Sequence, residues 1–222
     1  EIHNRMMSKN IQHTVIFVLG GPGAGKGTQC CRLVESAPSR VNGAAGVHHL
    51  SAGDLLRSAR KKGGEVGDLI NERIAAGQIV PSSITVGLLR DAMLEACPDG
   101  DGGGRRVFLV DGFPRNLENI SAWDEVFASE DGFAVGCVLF FDCPEDIMTS
   151  RLIERGMTSG RVDDNAETIR KRFSTFRDES YPIVTLYESG ERKDGVVVKR
   201  VMADRSVDTV YQDVLEVLQN FL

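Results

Sequence analysis

The chain comprises 222 residues with a mass of 24.2 kDa, of which 41% are hydrophobic and 26% are charged. This length can bury one sizeable core, so we expect one domain with small insertions. The net charge of −6 and the pI of about 5.3 leave no broad basic surface, which excludes a nucleic-acid polymer as a partner. No apolar run approaches the roughly 20 residues that a membrane-spanning helix needs, so no membrane association is expected.

The N-terminus and the cysteines bear on the cellular compartment. Residues 1–13 contain no continuous apolar segment and mix acidic with basic residues. We expect them to be an N-terminal extension or a vector-derived segment rather than a targeting peptide. The five cysteines form no CxxC pair, and we interpret them as reduced thiols. These features predict a cytoplasmic location, with the nucleus as an alternative.

Short apolar runs alternate along the chain with helical patterns. The predicted strands cover residues 14–19, 47–50, 107–110, 135–141 and 196–201. The predicted helices cover residues 26–37, 53–61, 65–76, 82–96, 116–129, 144–155, 165–188 and 206–221. Near-continuous apolar strands that alternate with helices are typical of a parallel sheet covered on both faces, so we expect a doubly wound α/β domain over residues 14–222. Two glycine-rich segments, 38–46 and 98–104, are interpreted as surface loops.

The first predicted strand is followed by GGPGAGKGT at residues 20–28, the pattern of a phosphate-binding loop. Glycines let successive backbone N–H groups turn inward, and the helix that begins near Lys26 adds its positive end. Lys26 would reach the β- and γ-phosphates and neutralise charge during transfer. An ordinary glycine-rich turn is the alternative, but it leaves the lysine unexplained. Gly27 stands where the general pattern has a hydroxyl residue that binds Mg²⁺.

The second stretch, HLSAGDLLR at residues 49–57, joins a strand end to a helix. Asp54 and Arg57 fall in the first turn of that helix. A Ser-x-x-Asp pattern commonly means helix capping and nothing more, so this stretch alone does not indicate a site.

The third stretch, FLVDGFPRN at residues 108–116, is an apolar strand that ends in Asp111. A carboxylate at the tip of a strand next to a phosphate loop is where Mg²⁺ and its waters are usually held. Because Gly27 lacks a hydroxyl, we infer that the ion is held mainly by ATP oxygens and waters, with Thr28 and Asp111 nearby. Mg²⁺ retains several waters readily, so few protein ligands are needed.

The fourth stretch, RLIERGMTSGRVDDN at residues 151–165, carries arginines at i and i+4 on one helical face. Arg151 and Arg155 form that pair, Arg161 lies in a short loop, and Arg172 follows. Arginines that converge on one cleft would repel each other unless phosphate charges lay between them, since guanidinium groups bind phosphate in bidentate fashion. A solvated charged helix is the alternative for this segment alone.

Together these four stretches resemble the adenylate kinase family of nucleoside monophosphate kinases, from about residue 14 to the C-terminus. The resemblance implies a P-loop NTPase-type core with a five-stranded parallel sheet, a helical NMP-binding arm at about 51–80 and a short lid at about 154–165. Arm and lid would close over ATP and an acceptor nucleotide, with Mg²⁺ as cofactor. The family's own loop reads GKGT, so Gly27 is its normal variant. An enzyme of this size that closes by hinge motion can act as a monomer, which we expect here.

The resemblance also implies roles for individual residues. The ATP site would comprise Gly23, Ala24, Gly25, Lys26, Gly27 and Thr28, with Arg155 stacking near ATP and Arg205 near its adenine. The catalytic cations would be Lys26, Arg115, Arg151, Arg161 and Arg172. Arg57 and Arg115 would hold the acceptor phosphate, and Arg161 and Arg172 would bridge the two substrates. The acceptor site would also include Ala52, Gln78, Ile79, Val80, Gly112, Phe113, Pro114, Asn116 and Asn119.

The residues near the acceptor base bear on which monophosphate is used. Adenylate-accepting members usually have Thr and Gln where this chain has Ala52 and Asn119. The patterns SAGD, FPRNxxN and VLFFDCPE instead resemble the branch that accepts UMP and CMP, so Asn119 would read a pyrimidine with its amide. The expected acceptors are CMP and UMP, with dCMP in addition. A short-lid adenylate kinase that uses AMP, which Val162 favours, and a non-catalytic ATP-binding module are the alternatives.

Overall fold

The computed structural model describes residues 13–36, 44–97, 104–128, 130, 132–161, 163–192 and 194–222. Within these residues one parallel sheet has the strand order β2-β3-β1-β4-β5. Its strands are β1 (His13–Gly20), β2 (Ala44–Ser51), β3 (Arg105–Asp111), β4 (Phe133–Asp142) and β5 (Val197–Met202). The predicted five-stranded parallel sheet is therefore confirmed.

Helices connect the strands and cover the sheet. They are α1 (Lys26–Ser36), α2 (Ala52–Lys61), α3 (Gly64–Ala75), α4 (Ser82–Glu95), α5 (Leu117–Phe127), α6 (Glu145–Ser159), α7 (Ala166–Thr175), α8 (Tyr181–Glu188) and α9 (Val207–Leu218). A π-helical segment, Phe176–Ser180, joins α7 to α8. Among the helices that the structure describes, none is long and apolar enough to cross a membrane.

Some sequence predictions fall on residues that the structure does not describe. These are residues 1–12 of the predicted extension, the last residue of the predicted helix 26–37, residues 38–43 and 98–103 of the two predicted loops, and Val162. The remaining end of the first loop, residues 44–46, belongs to β2.

The two faces of the sheet bury separate cores because neighbouring strand residues point in opposite directions. In β1, Ile16 and Val18 pack with α1, α6, α7 and α9, whereas Val15 and Phe17 pack with α2, α4, α5 and α8. All four residues are at most 1% exposed. This explains why the strand sequence is apolar at every position instead of alternating.

The predicted helix 165–188 is divided in the structure. The N–H of Tyr181 bonds to the carbonyl of Phe176, five residues earlier, and Pro182 lacks an N–H to continue the normal ladder. Through this π-helical segment the chain passes from one face to the other: Phe173 packs in the first core and Ile183 in the second.

A smaller core lies outside the sheet. Leu56 of α2, Ile70 of α3 and Val80 after α3 are each at most 7% exposed and pack together. The α2–α3 pair thus has apolar packing of its own.

The register of the sheet positions the site. Val18 of β1 and Ser51 of β2 both pair with Asp111 of β3. The carboxyl ends of these strands therefore meet at one edge, with the glycine loop after Gly20 beside them. Ligands of doubly wound sheets bind at this edge.

Candidate active site

The loop between β1 and α1 requires its glycines. Gly23 and Gly25 have φ of 86° and 90°, a region that other residues rarely adopt. At Gly23 a Cβ atom would also lie 2.5 Å from the carbonyl oxygen of Met148 in α6. Ala24, a predicted ATP-site residue, is 1% exposed, packs in the core and is not among the residues that line the cleft.

Lys26 folds back over this loop. Its Nζ donates to the carbonyls of Gly20 at 2.9 Å and Gly21 at 3.0 Å. Loss of hydration lowers the pKa of Lys26 to about 8, although the carboxylate of Asp111 opposes the shift. The positive charges of Arg115 and Arg172 lower it further. A charge held at this energetic cost is typical of a functional site.

Asp111 and Thr28 are the oxygen ligands nearest to the loop. Asp111 ends β3 and is 8% exposed, and Thr28 is exposed; both line the cleft in front of the loop. A Cβ atom on Gly27 would lie 3.6 Å from Oδ2 of Asp111, so a side chain there would intrude on the space beside that carboxylate. Carboxylate and hydroxyl oxygens fit Mg²⁺. The described residues contain no group of three or more His, Cys, Asp or Glu that could hold a metal ion.

A cleft of about 550 Å³ opens in front of the phosphate loop. Cationic side chains reach it from α1, α2, α6 and α7 and from the connections after β3, α6 and β5. Of the predicted residues, it is lined by Gly23, Gly25, Lys26, Gly27, Thr28, Arg57, Asp111, Gly112, Arg115, Arg151, Arg155, Arg161, Arg172 and Arg205. The predicted convergence of arginines on one cleft is thus present in the structure.

A second cavity, of about 70 Å³, adjoins the cleft beneath α2. Arg57, Arg115 and Arg172 lie in the walls of both. Of the predicted acceptor-site residues, it is lined by Ala52, Arg57, Gln78, Ile79, Val80, Gly112, Arg115, Asn119 and Arg172. This volume holds only a few waters and is too small for a nucleotide as it stands.

Asn119 lies in a buried hydrogen-bond network. Its Oδ1 accepts from the backbone N–H of Arg115 at 2.9 Å, and its Nδ2 donates to Oγ of Ser82 at 2.8 Å. The backbone N–H of Arg115 can only donate, so it fixes which end of the amide is oxygen. With the residues that the structure describes, these two bonds leave one Nδ2 hydrogen and one Oδ1 lone pair of Asn119 without a partner beside the adjoining cavity.

Three predicted acceptor-site residues lie elsewhere. Phe113 is 0% exposed and packs between Phe17 and Trp123, so its side chain cannot reach a ligand in either cavity. Asn116 caps α5 by accepting from the N–H of Asn119, and its own amide faces Glu179 outside the cavity. Pro114 lines a smaller recess behind the cleft, which it shares with Lys26 and Arg115.

Two carboxylates hold arginines of α6 and α7. Asp164, whose side chain is fully buried, accepts from Arg155 at 2.7 and 2.8 Å and from Arg172 at 2.8 Å. Asp163 forms a further ion pair with Arg172 at 2.9 Å. Burial alone would raise the pKa of Asp164, but the hydrogen bonds and charges of Arg155 and Arg172 outweigh it and lower the pKa. The same hydrogen bonds raise the pKa of Arg155.

Asp54 connects the segment after α6 to α2. Its Oδ1 accepts from Arg57 at 2.6 Å and lies 3.5 Å from Nη2 of Arg161. Loss of hydration and the neighbouring charges of Arg57 and Arg155 lower the pKa of Arg161. Arg161 and Arg57 are therefore held together across the cleft by one carboxylate.

The far end of the cleft is formed by the connection between β5 and α9. Arg151 donates to the carbonyls of Ala203 at 2.9 Å and Arg205 at 3.5 Å. Arg205 is ion-paired with Asp213 and also donates to the carbonyl of Met202 at 3.1 Å. Arg151 thus positions this connection as well as lining the cleft.

A family model described as Adenylate kinase matches residues 18–192. The chain belongs to the adenylate kinase family. It is 46% identical over 212 residues to Uridylate kinase of Saccharomyces cerevisiae, covering 95% of this chain and 93% of that protein. It is also 46% identical over 205 residues to UMP-CMP kinase of Gallus gallus and 44% identical over 205 residues to UMP-CMP kinase of Homo sapiens. Each of these two alignments covers 91% of this chain and 95% of the relative.

For this member of the adenylate kinase family, sequence reasoning missed several residues of the site. Asp163 and Asp164 were assigned no role in the site, yet they pair with the arginines of the cleft. His49, also assigned no role, lines the cleft with Nε2 3.5 Å from Asp111. Gln29 lines it as well. The signal that could have identified the two aspartates is their position two and three residues after Arg161 in the sequence.

Proposed function

We propose that this protein is a nucleoside monophosphate kinase that transfers the γ-phosphoryl group of ATP to the α-phosphate of CMP or UMP, and also of dCMP. One observation carries the proposal: cationic side chains from separate segments surround two adjoining cavities. The two cavities share Arg57, Arg115 and Arg172 in their walls. Two phosphorylated ligands would meet there. The relatives named Uridylate kinase and UMP-CMP kinase supply the choice of acceptor.

On the donor side, the loop from Gly23 to Thr28 would hold the ATP phosphates through backbone N–H groups. Lys26 would leave the carbonyls of Gly20 and Gly21 to reach the β- and γ-phosphates. Its partly desolvated ammonium group would regain a favourable partner there, which strengthens the interaction. Arg155 would lie against ATP, and Arg205 would lie near its base.

On the acceptor side, Arg57 and Arg115 would hold the α-phosphate of the monophosphate. Burial and the charge of Arg172 lower the pKa of Arg115, so an anion between these groups would relieve their repulsion. Asn119 would read the pyrimidine with its remaining amide hydrogen and lone pair. Ala52 and the segment Gln78–Val80 would complete the pocket.

Transfer itself needs alignment more than acid–base chemistry. An oxygen of the acceptor phosphate attacks the γ-phosphorus while the bond to the β,γ-bridging oxygen breaks, giving ADP and a nucleoside diphosphate. The acceptor phosphate is already a nucleophile at neutral pH, so no general base is required. Arg161 and Arg172, assisted by Arg151, would stabilise the charge that develops between the two nucleotides.

Mg²⁺ would be held beside the phosphate loop by Thr28, Asp111 and the phosphate oxygens of ATP. When bound, it supplies charge neutralisation on those oxygens. Asp111 would orient its waters, and the glycine at position 27 leaves room for them.

We further propose that residues 51–80 act as a mobile arm and residues 154–165 as a lid. Leu56 of α2 and Ile70 of α3 pack in a small core outside the sheet, so the two helices would move together, and the link from Asp54 to Arg161 offers one contact for closure. The enzyme would act as a monomer in the cytoplasm, with the nucleus as an alternative location.

A coupled assay that detects ADP tests the proposal. With ATP and Mg²⁺ fixed, CMP, UMP and AMP are supplied separately at equal concentration, and the nucleotide products are identified. We expect CDP and UDP to form at least about tenfold faster than AMP is converted to ADP. A preference for AMP would make the protein an adenylate kinase. Nucleotide binding without any diphosphate product would make it a non-catalytic module.

A further inference from the structure

The end of the cleft beyond the arginines is shaped for a flat, partly apolar group. Ala203, Val207 and Val210 line it on one side and Leu152 on another. Val207 is 49% exposed despite its apolar side chain. If the phosphates of the donor lie on the glycine loop, its base falls at this end.

Gln29 lies under this end of the cleft. It follows Thr28 in the first turn of α1, is 3% exposed and is one of the lining residues. Its Nε2 donates to the carbonyl oxygen of Val207 at 2.9 Å. A carbonyl oxygen can only accept, so this bond fixes the amide nitrogen toward Val207 and defines the position of Oε1.

The Oε1 atom of Gln29 is buried and accepts no hydrogen bond from any residue that the structure describes. Buried polar atoms nearly always have a partner, and those that do not commonly mark a ligand or water position. An amide oxygen can only accept, so the natural partner of Oε1 is a donor.

We propose that Gln29 is a specificity-determining residue for the base of the phosphoryl donor, with Oε1 accepting a hydrogen bond from the exocyclic amino group of adenine. The inference rests on the proposed function, which places ATP in this cleft. A purine with a carbonyl at the same ring position, such as guanine, would set an oxygen against the oxygen of Gln29. ATP is therefore favoured over GTP at this site.

Other contacts hold the connection between β5 and α9 independently of Gln29. Arg151 binds the carbonyls of Ala203 and Arg205, and Ser206 caps α9 by accepting from the N–H of Thr209 at 3.2 Å. Loss of the Gln29 side chain should therefore leave the walls of this end in place. This separates base recognition from a structural role.

The first test uses the unmodified enzyme and varies the donor. With CMP saturating, kcat/KM is measured for ATP, GTP and purine riboside triphosphate, which lacks the amino group. We expect the value for the purine analogue to be about tenfold below that for ATP, mainly through KM, and the value for GTP to be lower still. Equal values for ATP and the purine analogue would overturn the proposal.

The second test combines the analogue with a variant. Gln29→Met keeps the length of the side chain and removes both polar atoms. It should reduce kcat/KM about tenfold with ATP and leave the value with purine riboside triphosphate unchanged, since the same hydrogen bond cannot be lost twice. A matched control, Ser206→Ala, loosens the same connection and should lower Tm without altering the ratio between the two donors. Equal losses for both donors in Gln29→Met, or a matching change of ratio in Ser206→Ala, would contradict base recognition.

The failure of this inference is distinguishable from that of the proposed function. If the unmodified protein forms no diphosphate with any acceptor, the proposed function fails. Base recognition is then tested by calorimetric titration of the same protein with ADP and with purine riboside diphosphate. About tenfold tighter binding of ADP would support the role of Gln29, and equal binding would overturn it.

Discussion

Lys26 is held at the centre of the cleft by opposing effects. The carboxylate of Asp111 favours its charge, while desolvation and the charges of Arg115 and Arg172 disfavour it. Its hydrogen bonds to two loop carbonyls keep the ammonium group beside the phosphate loop. In the proposed function, a cation in this position would stabilise the negative charge that shifts from the γ- to the β-phosphate during transfer. It would contribute less to the binding of ATP before transfer.

Replacement of Lys26 by methionine should therefore reduce kcat about a hundredfold or more while weakening ATP binding much less. Steady-state kinetics and calorimetric titration with ATP separate the two quantities. Lys171→Met is the matched control, because Lys171 is an exposed lysine paired with Glu167 and should leave both unchanged. A Lys26→Met enzyme that kept more than about a tenth of kcat would contradict the role.

The lowered pKa of Lys26 also predicts a pH-dependent effect on stability. Between a folded pKa of about 8 and an unfolded pKa near 10.4, the unfolded chain binds more protons, so folding is penalised below about pH 8 and the penalty is relieved as pH rises. Lys26→Met should thus be more stable than the wild type by about 1 to 3 kcal/mol at pH 7. Urea unfolding at pH 7 and pH 10 measures the difference, which should shrink at the higher pH. If the difference in free energy of unfolding did not change with pH, the charge of Lys26 would not be what destabilises the wild type.

Asn119 offers a test of base recognition on the acceptor side. Asn119→Ala should lower kcat/KM for CMP and UMP several-fold more than for AMP, because the remaining amide hydrogen and lone pair no longer meet the pyrimidine. Ser82→Ala is the control, since it removes only the buried partner of Nδ2. Initial rates with the three acceptors provide the comparison, and equal losses for all of them would remove the base-reading role.

Sequence reasoning placed these residues unevenly, for physical reasons. Lys26 and Arg115 follow strands that end at the same edge of a parallel sheet, so motif order alone predicted that they would meet. Asn116 and Asn119 are equally polar in sequence, yet one caps α5 on the outside and the other lies in the buried network. Phe113 sits within the motif but packs in the core. Such orientations depend on where a helix begins, which the motif does not specify.

The segment that joins α6 to α7 is held by ion pairs within a few residues of chain. Asp164 receives three hydrogen bonds from Arg155 and Arg172, and its side chain is fully buried. Its lowered pKa means that it stabilises the fold at neutral pH and loses that contribution as pH falls through the folded pKa.

Asp164→Asn should lower Tm and reduce kcat about tenfold or more, because two guanidinium groups lose the charged acceptor that orients them. The loss of stability should be largest near neutral pH and smaller in acid, where the wild-type carboxylate is also protonated. Glu167→Gln is a suitable control, as Glu167 is an exposed acid whose removal should change neither quantity. Thermal melts at several pH values and steady-state rates would detect the difference, and a fully active Asp164→Asn enzyme would contradict it.

At the scale of elements, periodicity predicted most strands and helices within a few residues. The exception is the predicted helix 165–188, in which the π-helical segment separates α7 from α8. Pro182 is present in the sequence, but a proline alone does not show whether a helix ends, bends or begins at that point. The change of hydrogen-bond register depends on Phe173 and Ile183 packing on opposite faces of the sheet, which local sequence does not reveal.

The whole molecule is negatively charged, but positive side chains are concentrated in one cleft. The net charge is −6, yet the cleft wall carries the arginines that line both cavities. Alternation of strands and helices predicted the sheet, and the motifs predicted one site at its edge. The strand order and the pairing of Asp54 with Arg161 could not be predicted, because both join segments far apart in the chain.

The central claim is that two nucleotides are held at once, with their phosphates facing each other across shared arginines. Calorimetric titration with a single compound in which adenosine and uridine are joined through their 5′ oxygens by a polyphosphate chain tests it most directly. We predict one site per chain and binding at least about a hundredfold tighter than ATP or UMP alone, since one ligand would fill both cavities. Binding no tighter than that of ATP would contradict the account.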